Sequence, residues 1–338
     1  MFNKLMMVAL LVAAGAVDAD VLKLATVAPE GTSWMKEMRA AGERVKQRTE
    51  ARVEIKFFPG GVMGNDIAVL RKIKLGQLQG GAFSGAELSP VFASAQIYSL
   101  PFLFADLAEV AAVRVQVDPL IQAGLQQAGM VAVGMSGGGF AYLMSTQPIL
   151  NKAELMATKV WVMQNDRIAQ VAFAEAGVKP IALPLGDVYT SLQTGLLETV
   201  AITTSGAIAF QWHTKVKHVV DLPLSYVMGI LAIDQKPFLR LTVADQQVVR
   251  DEFAAAFKAL DVANLSDNDR ARSVLIKQGL KFQVPDAGEI AYWRGIGDAT
   301  TAKLLAAGSI SAELLARIRQ AQAEYRQRAA AASGSVAK

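Results

Sequence analysis

"KVWVMQND", residues 159 to 166, reads as the end of a strand running into the start of a helix. Lys159 to Val162 alternate as a pleated segment does, and Asn165 or Asp166 is a residue type that caps a helix N-terminus. The same alternation of short strand and helix recurs on both sides of this stretch. Downstream come a helix over 167–176 ended by Gly177, strand "KPIAL" (179–183), a helix over 187–194 ended by Gly195, strand "ETVAI" (198–202) and a helix over 207–212. Upstream lie strand "VLKLATV" (21–27) and a helix over 33–48, in which Trp34, Met38, Ala41 and Val45 recur at helical spacing. Strand "RVEIKFF" (52–58), a helix over 66–75 closed by Gly76, and strand "LQGGAFS" (78–84) follow. The order β-α-β-α-β predicts a parallel sheet covered by helices, built twice: an α/β fold.

Between the two units the spacing predicts helices over 107–116 and 119–127, then strands "MVAVG" (130–134) and "FAYLMS" (140–145), separated by a glycine-rich turn. Strand "YVMGILAI" (226–233) has no helix directly before it and is free to cross back to the first sheet. From Pro237 onward the pattern is helical and ends in a long polar-faced helix from 312 to about 328. Two α/β units joined by crossing strands suggest a hinged protein that closes around a ligand.

The chain has 338 residues, is 52% hydrophobic and 19% charged, and carries a net charge of +4 with no basic block. That composition suits a packed globular protein of two domains and argues against nucleic-acid binding. The opening "MFNKLMMVALLVAAGAVDA" has Lys4, a short apolar run from Leu5 to Val17, and a small-residue cleavage pattern ending at Ala19. It reads as a signal peptide over 1–19 and predicts a periplasmic mature protein; a retained single anchor is the alternative. With no cysteine, no disulfide framework holds the fold.

Gly134-Met135-Ser136-Gly137-Gly138 matches the G-x-S-x-G nucleophile elbow, with Asp187 and His213 or His218 following in hydrolase order. An elbow needs a helix starting at the serine, however, and glycines followed by a strand do not supply one. His213 and His218 are five apart, not the four of a helical metal pair, and have no acidic companion at matching spacing, so no metal is expected. Gly60-Gly61-Val62-Met63-Gly64 lacks the Lys-Ser/Thr of a phosphate loop, and no cofactor is expected. What remains is a set of aromatic and small polar residues at strand ends and in loops, where α/β sheets place their ligands. The candidate ligand-binding residues are Trp34, Ser84, Phe140, Tyr142, Trp161, Gln164, Asn165, Thr203, Thr204, Phe210 and Trp212.

Four further stretches match a family. "FFPGGVMGNDIAVLRKIKLGQL", "IYSLPFLFADLAEV", "GGGFAYLMSTQPI" and "ALPLGDVYTSLQTGLLETV" resemble, in order and spacing, segments of the substrate-binding proteins of tripartite ATP-independent periplasmic (TRAP) transporters. The resemblance covers about residues 22–328. It implies a two-lobe periplasmic binding protein with crossing strands at the hinge and a long C-terminal helix bracing both lobes. The lobes expected from it are 20–143 with 226–270, and 144–225 with 271–330, followed by a tail over 331–338. It implies no catalysis, but capture of a small organic solute and delivery to membrane permease subunits. In the familiar members the strand equivalent to "KVWV" carries an arginine that grips a ligand carboxylate; the register puts Trp161 there, and Ala141 at the place of a second arginine. Arg167, a few residues on, is expected to face solvent. Trp161 with Phe140, Tyr142, Phe210 and Trp212 would form an aromatic wall suited to an apolar, aromatic or cationic ligand. "SGAIAFQWHTKV" (205–216) resembles a subgroup that works with a periplasmic tetratricopeptide-repeat protein. Two other readings are an exported serine hydrolase using Ser136 and a ligandless adaptor that docks a protein partner.

Overall fold

The computed structural model describes residues 19–336; the expected leader, apart from Ala19, and residues 337–338 of the expected tail lie outside the described residues. The first lobe opens with β1 (Asp20–Thr26), α1 (Ser33–Arg48), β2 (Val53–Phe58), α2 (Asp66–Lys74), β3 (Gly80–Ser84) and the short α3 (Gly85–Leu88). Thr32 caps α1 and Asn65 caps α2, each side chain accepting from a backbone N–H three residues on. A 3-10 segment over 93–99 leads into α4 (Leu107–Gln127). The two helices expected here are one. Val113, Val117, Ile121 and Leu125 are all fully buried along a single face, and Arg114 holds Asp118 across the turn before Pro119 at 2.9 Å. Packing of that face outweighs the backbone hydrogen bond that the proline removes.

β4 (Met130–Ser145) is likewise one strand where two strands and a turn were expected. Its register against β9 shifts between Ala132 and Gly134 and again between Gly137 and Gly139, so the glycines sit at bulges rather than in a turn. A Cβ on Gly134 would enter the ring of Phe257, and one on Gly137 would enter the hydroxyl of Tyr226. Glycine here permits close approach of neighbouring elements.

The second lobe contains α5 (Lys152–Met156), β5 (Trp161–Met163), α6 (Arg167–Glu175), β6 (Ile181–Leu183), α7 (Val188–Thr194), β7 (Thr199–Ile202), α8 (Thr204–Ala209) and β8 (His218–Val220). The chain then returns through β9 (Ser225–Asp234), α9 (Gln235–Arg240), α10 (Val243–Lys277), β10 (Lys281–Gln283), α11 (Ala287–Ala306) and α12 (Ala312–Val336). The main sheet runs β10-β8-β4-β9-β3-β1-β2, with β7 also on β4. β4 is the shared strand. Its first part pairs with β9 in the first lobe, and its end, Tyr142–Ser145, pairs with β7 and β8 in the second. β9 pairs antiparallel with β3, so the crossing strand expected over 226–233 is present.

α10 runs for 35 residues from the α1 face of the first lobe to the core of the second, where Leu275 is buried, so the boundary expected near 270 falls inside one helix. α12 does not lie with the second lobe, where 271–330 was expected. Leu314, Ile318 and Ala321 join the core under α4, and Gln322 Nε2 donates to Leu103 O at 2.6 Å. α12 also continues through residues 331–336, which were expected to be tail.

Candidate functional site

Between the lobes lies a cavity of about 840 Å³. Trp34, Ser84, Trp161, Thr203 and Phe210, all expected at a site, line it. Trp34 stands in the first turn of α1, edge-on to Phe257 at 5.2 Å. Ser84 ends β3 and caps α3, accepting from Glu87 N at 3.2 Å while the Glu87 carboxylate accepts from Ser84 N at 2.6 Å. Thr203 caps α8 through a bond from Gly206 N at 3.1 Å. Trp161 opens β5, and its indole N–H donates to Leu183 O on β6 at 3.0 Å. Behind it, edge-on at 5.3 Å, stands Trp212.

The other six expected residues are not in the cavity wall. Trp212 is 1% exposed and packs behind Trp161 and Phe210 as core. Phe140 packs edge-on against Tyr226 at 5.5 Å, and Tyr142 borders the core under β7 and β8. Thr204 donates to Asn268 O on α10 at 2.8 Å. Gln164 is exposed, and its carbonyl accepts from Gln170. Asn165 joins the lobes: its amide donates to Asp66 Oδ2 at 2.7 Å, and its carbonyl accepts from Ser89 Oγ at 3.1 Å. Each points the wrong way for the cavity because alternation along β4 and the helical turns after β5 and β7 rotate it into a neighbouring element. Among the lining residues that sequence spacing did not single out are Gln96, Tyr98, Phe102, Tyr226 and Trp293. Gln96 and Tyr98 sit in the 3-10 segment and Trp293 in the middle of α11, where no periodic pattern separates wall from core.

The wall is apolar and short of positive charge. Among the described residues lining it, Arg270 is the one cation; its side chain is 71% exposed at the rim and pairs with Asp267 at 2.5 Å. Arg167 is exposed and outside the wall, as expected, and Ala141 lines the cavity. Of the four lining carboxylates, Glu30 pairs with Arg39 at 2.7 Å and Asp267 with Arg270, while Glu87 and Asp166 cap helices. Burial pushes the Glu87 carboxyl up to about 7, with Asp66 adding to the rise and the Ser84 N–H opposing it. Burial raises Asp166 to about 6, against the pull of the Ala169 and Ile168 N–H groups.

Ser136 is no nucleophile. It is fully buried within β4, its hydroxyl donates to Asp261 Oδ1 at 3.0 Å, and Asn264 Nδ2 lies 3.3 Å away. His213 and His218 are engaged elsewhere, with Ala207 O at 3.0 Å and Gln283 Oε1 at 2.9 Å.

Residues 24–307 match the family model described as bacterial extracellular solute-binding protein, family 7 (DctP). The C4-dicarboxylate-binding periplasmic protein DctP of Rhodobacter capsulatus is 23% identical over 90% of this chain and 91% of its own. Protein YiiZ of Salmonella typhimurium is 24% identical over 70% of this chain and 73% of its own. The crystal structure of a TRAP periplasmic solute-binding protein from Desulfovibrio salexigens with bound orotic acid superposes with a TM-score of 0.83, at 21% identity, over 90% of this chain and 99% of that one. The two-lobe fold, the cavity between the lobes and the match over most of the chain agree: the protein belongs to the family 7 bacterial extracellular solute-binding proteins, which serve TRAP transporters as their solute-capturing component and are not enzymes.

Proposed function

We propose that this binding protein takes up a small organic solute with an apolar or aromatic body and no obligatory carboxylate. The observation that carries the reading is Trp161, a hydrogen-bonded and therefore donor-exhausted ring, in a wall whose single cation is paired at the rim. A carboxylate enclosed there without a counter-charge would lose several kcal/mol of hydration. Glu87 and Asp166 add a further penalty for an anion wherever they are ionised. A volume of about 840 Å³ is within the range of small-molecule sites and does not favour an adaptor with an empty seam. Orotic acid and C4-dicarboxylates are what the names of the relatives above give for those proteins, and neither is carried over to this wall.

In this reading Trp34, Ser84, Trp161, Thr203 and Phe210 contact the solute, which their position in the cavity wall supports. In this reading the leader over 1–19 directs the chain to the periplasm and is cut after Ala19. The loaded protein delivers its solute to the permease subunits, and the resemblance of 205–216 to the tetratricopeptide-associated subgroup supports a periplasmic repeat protein as an additional carrier of an apolar ligand.

The experiment is mass spectrometry of the small molecule that co-purifies with the exported protein, followed by tryptophan fluorescence titration with it. The expected result is an uncharged or largely apolar compound that alters the Trp161 signal. Isolation of a dicarboxylate or sugar acid bound at high affinity would overturn the reading.

A further inference from the structure

Phe102 has a backbone φ of 56°, a left-handed conformation that is an outlier for a bulky side chain. Such strain persists only where the surroundings over-determine it, and it concentrates at ligand clamps and switch regions. The chain on either side belongs to the first lobe: Leu100, Leu103 and Phe104 are buried in the core under α4. Phe102 instead packs against the second lobe's core, which contains Val162 of β5, Phe173 of α6 and Trp293 of α11. Its N–H donates to Leu224 O, between β8 and β9, at 2.8 Å. α11 presses close to it: a Cβ on Gly297 would lie 2.9 Å from Pro101 O and 3.1 Å from Phe102 Cδ2.

Beside the cavity of about 840 Å³ lies a small pocket of about 20 Å³. Phe102, Leu143, Leu224 and Trp293 line both and so form the partition between them. Ile149, Val220 and Leu222 complete the small pocket, which has room for roughly one water-sized group and little polar side chain to hold a water. We infer that Phe102 is the end wall of the solute site: held across the lobe seam, its ring stops the apolar body of the ligand short of the small pocket and sets the longest solute that the cavity accepts. This inference rests on the reading of the cavity as a site for an apolar solute.

The test is calorimetry on the exported protein with straight-chain primary alcohols from hexanol to dodecanol. Wild-type affinity is expected to rise about fourfold per added methylene and then to level off at a fixed length. Phe102→Gly removes the ring and accepts the left-handed backbone without steric cost. It joins the two spaces, so the limit should move out by about three carbons, the length of the lost ring. Phe102→Leu should move it by about one carbon, and its limit decides the question if the glycine variant does not fold. A change in the limit, rather than in affinity at one length, separates an end wall from a side chain that only holds the fold. If wild-type affinity rises through dodecanol without a limit, or the limit stays at the same length in the variants, this inference falls and the apolar-solute reading stands. If no alcohol binds the wild type, both fall together.

Discussion

Trp161 spends its only donor on Leu183 O and lines the cavity, so under the proposed function it shapes ligand class by what it withholds. Trp161→Arg would put a guanidinium into that wall. The expected outcome is at least a tenfold loss of affinity for the co-purifying solute and new, weak carboxylate binding, both read by calorimetry; unchanged affinity would place Trp161 away from the ligand. Glu87 is the second informative residue. Its carboxyl has an ordinary value of 4.5 and is raised to about 7 in the folded protein, so the folded state holds the proton more tightly than the unfolded chain. The stability this contributes is complete below 4.5, declines as pH rises toward 7 and is gone above it, a change on the order of 3 kcal/mol at most. Glu87→Gln keeps the capping geometry and cannot ionise. Relative to wild type, its melting temperature should therefore climb between pH 5 and about pH 8. Parallel melting curves across that range would show that the buried carboxyl does not titrate there. Neither effect is visible in the sequence as such: "KVWV" discloses a strand, but the bond to Leu183 and the burial of Glu87 depend on contacts between elements.

At the scale of elements, hydrophobic period and capping residues were enough to place α1, α2, α6 and β9 to within a residue or two. What period does not encode is continuity through glycine and proline. Gly134 to Gly139 read as a turn because the residue type is silent about the ring of Phe257 and the hydroxyl of Tyr226 that require it. β8 and β10, three residues each, are too short to show alternation. The candidate site was half legible for the same reason: residue types at strand ends were found, but which way Tyr142, Thr204 and Trp212 turn is set by β7, α10 and β5. The bulged part of β4 is clamped by α10. Asp261 Oδ1 accepts from Arg114 Nη1 at 2.7 Å, Ser136 Oγ at 3.0 Å and Gly137 N at 2.8 Å, tying α4 and β4 to α10 through one oxygen. Asp261→Ala leaves those donors short of an acceptor and the Arg114 guanidinium, 13% exposed, with Asp118 as its remaining acid partner. A destabilisation of about 2–3 kcal/mol is expected in urea unfolding. A loss below about 0.5 kcal/mol would mean that packing alone fixes the crossing strand.

For the whole molecule, the proposed function implies an equilibrium between open and closed lobes. β4 and α10 pass from one lobe to the other, and Asn165 bridges the seam by bonding Asp66 and Ser89 of the first lobe. A solute that is enclosed only when the lobes close binds with an apparent affinity set by its contacts and by the closed fraction together. On that reading the bond from Asn165 to the Asp66 carboxylate would be exchanged for water when the lobes part, so its net worth is about 1 kcal/mol. Asn165→Ala should accordingly weaken every ligand by about three- to tenfold, chiefly through faster release, and leave their rank order unchanged. Stopped-flow tryptophan fluorescence with the co-purifying solute and two analogues measures both quantities. A changed rank order would return Asn165 to the ligand-contacting set in which its position after β5 first placed it. An unchanged release rate would show that closure is held by the apolar contacts across the cavity, among them Ile168 and Val171 of α6 in the first lobe's core, and that the Asn165 bonds only follow it.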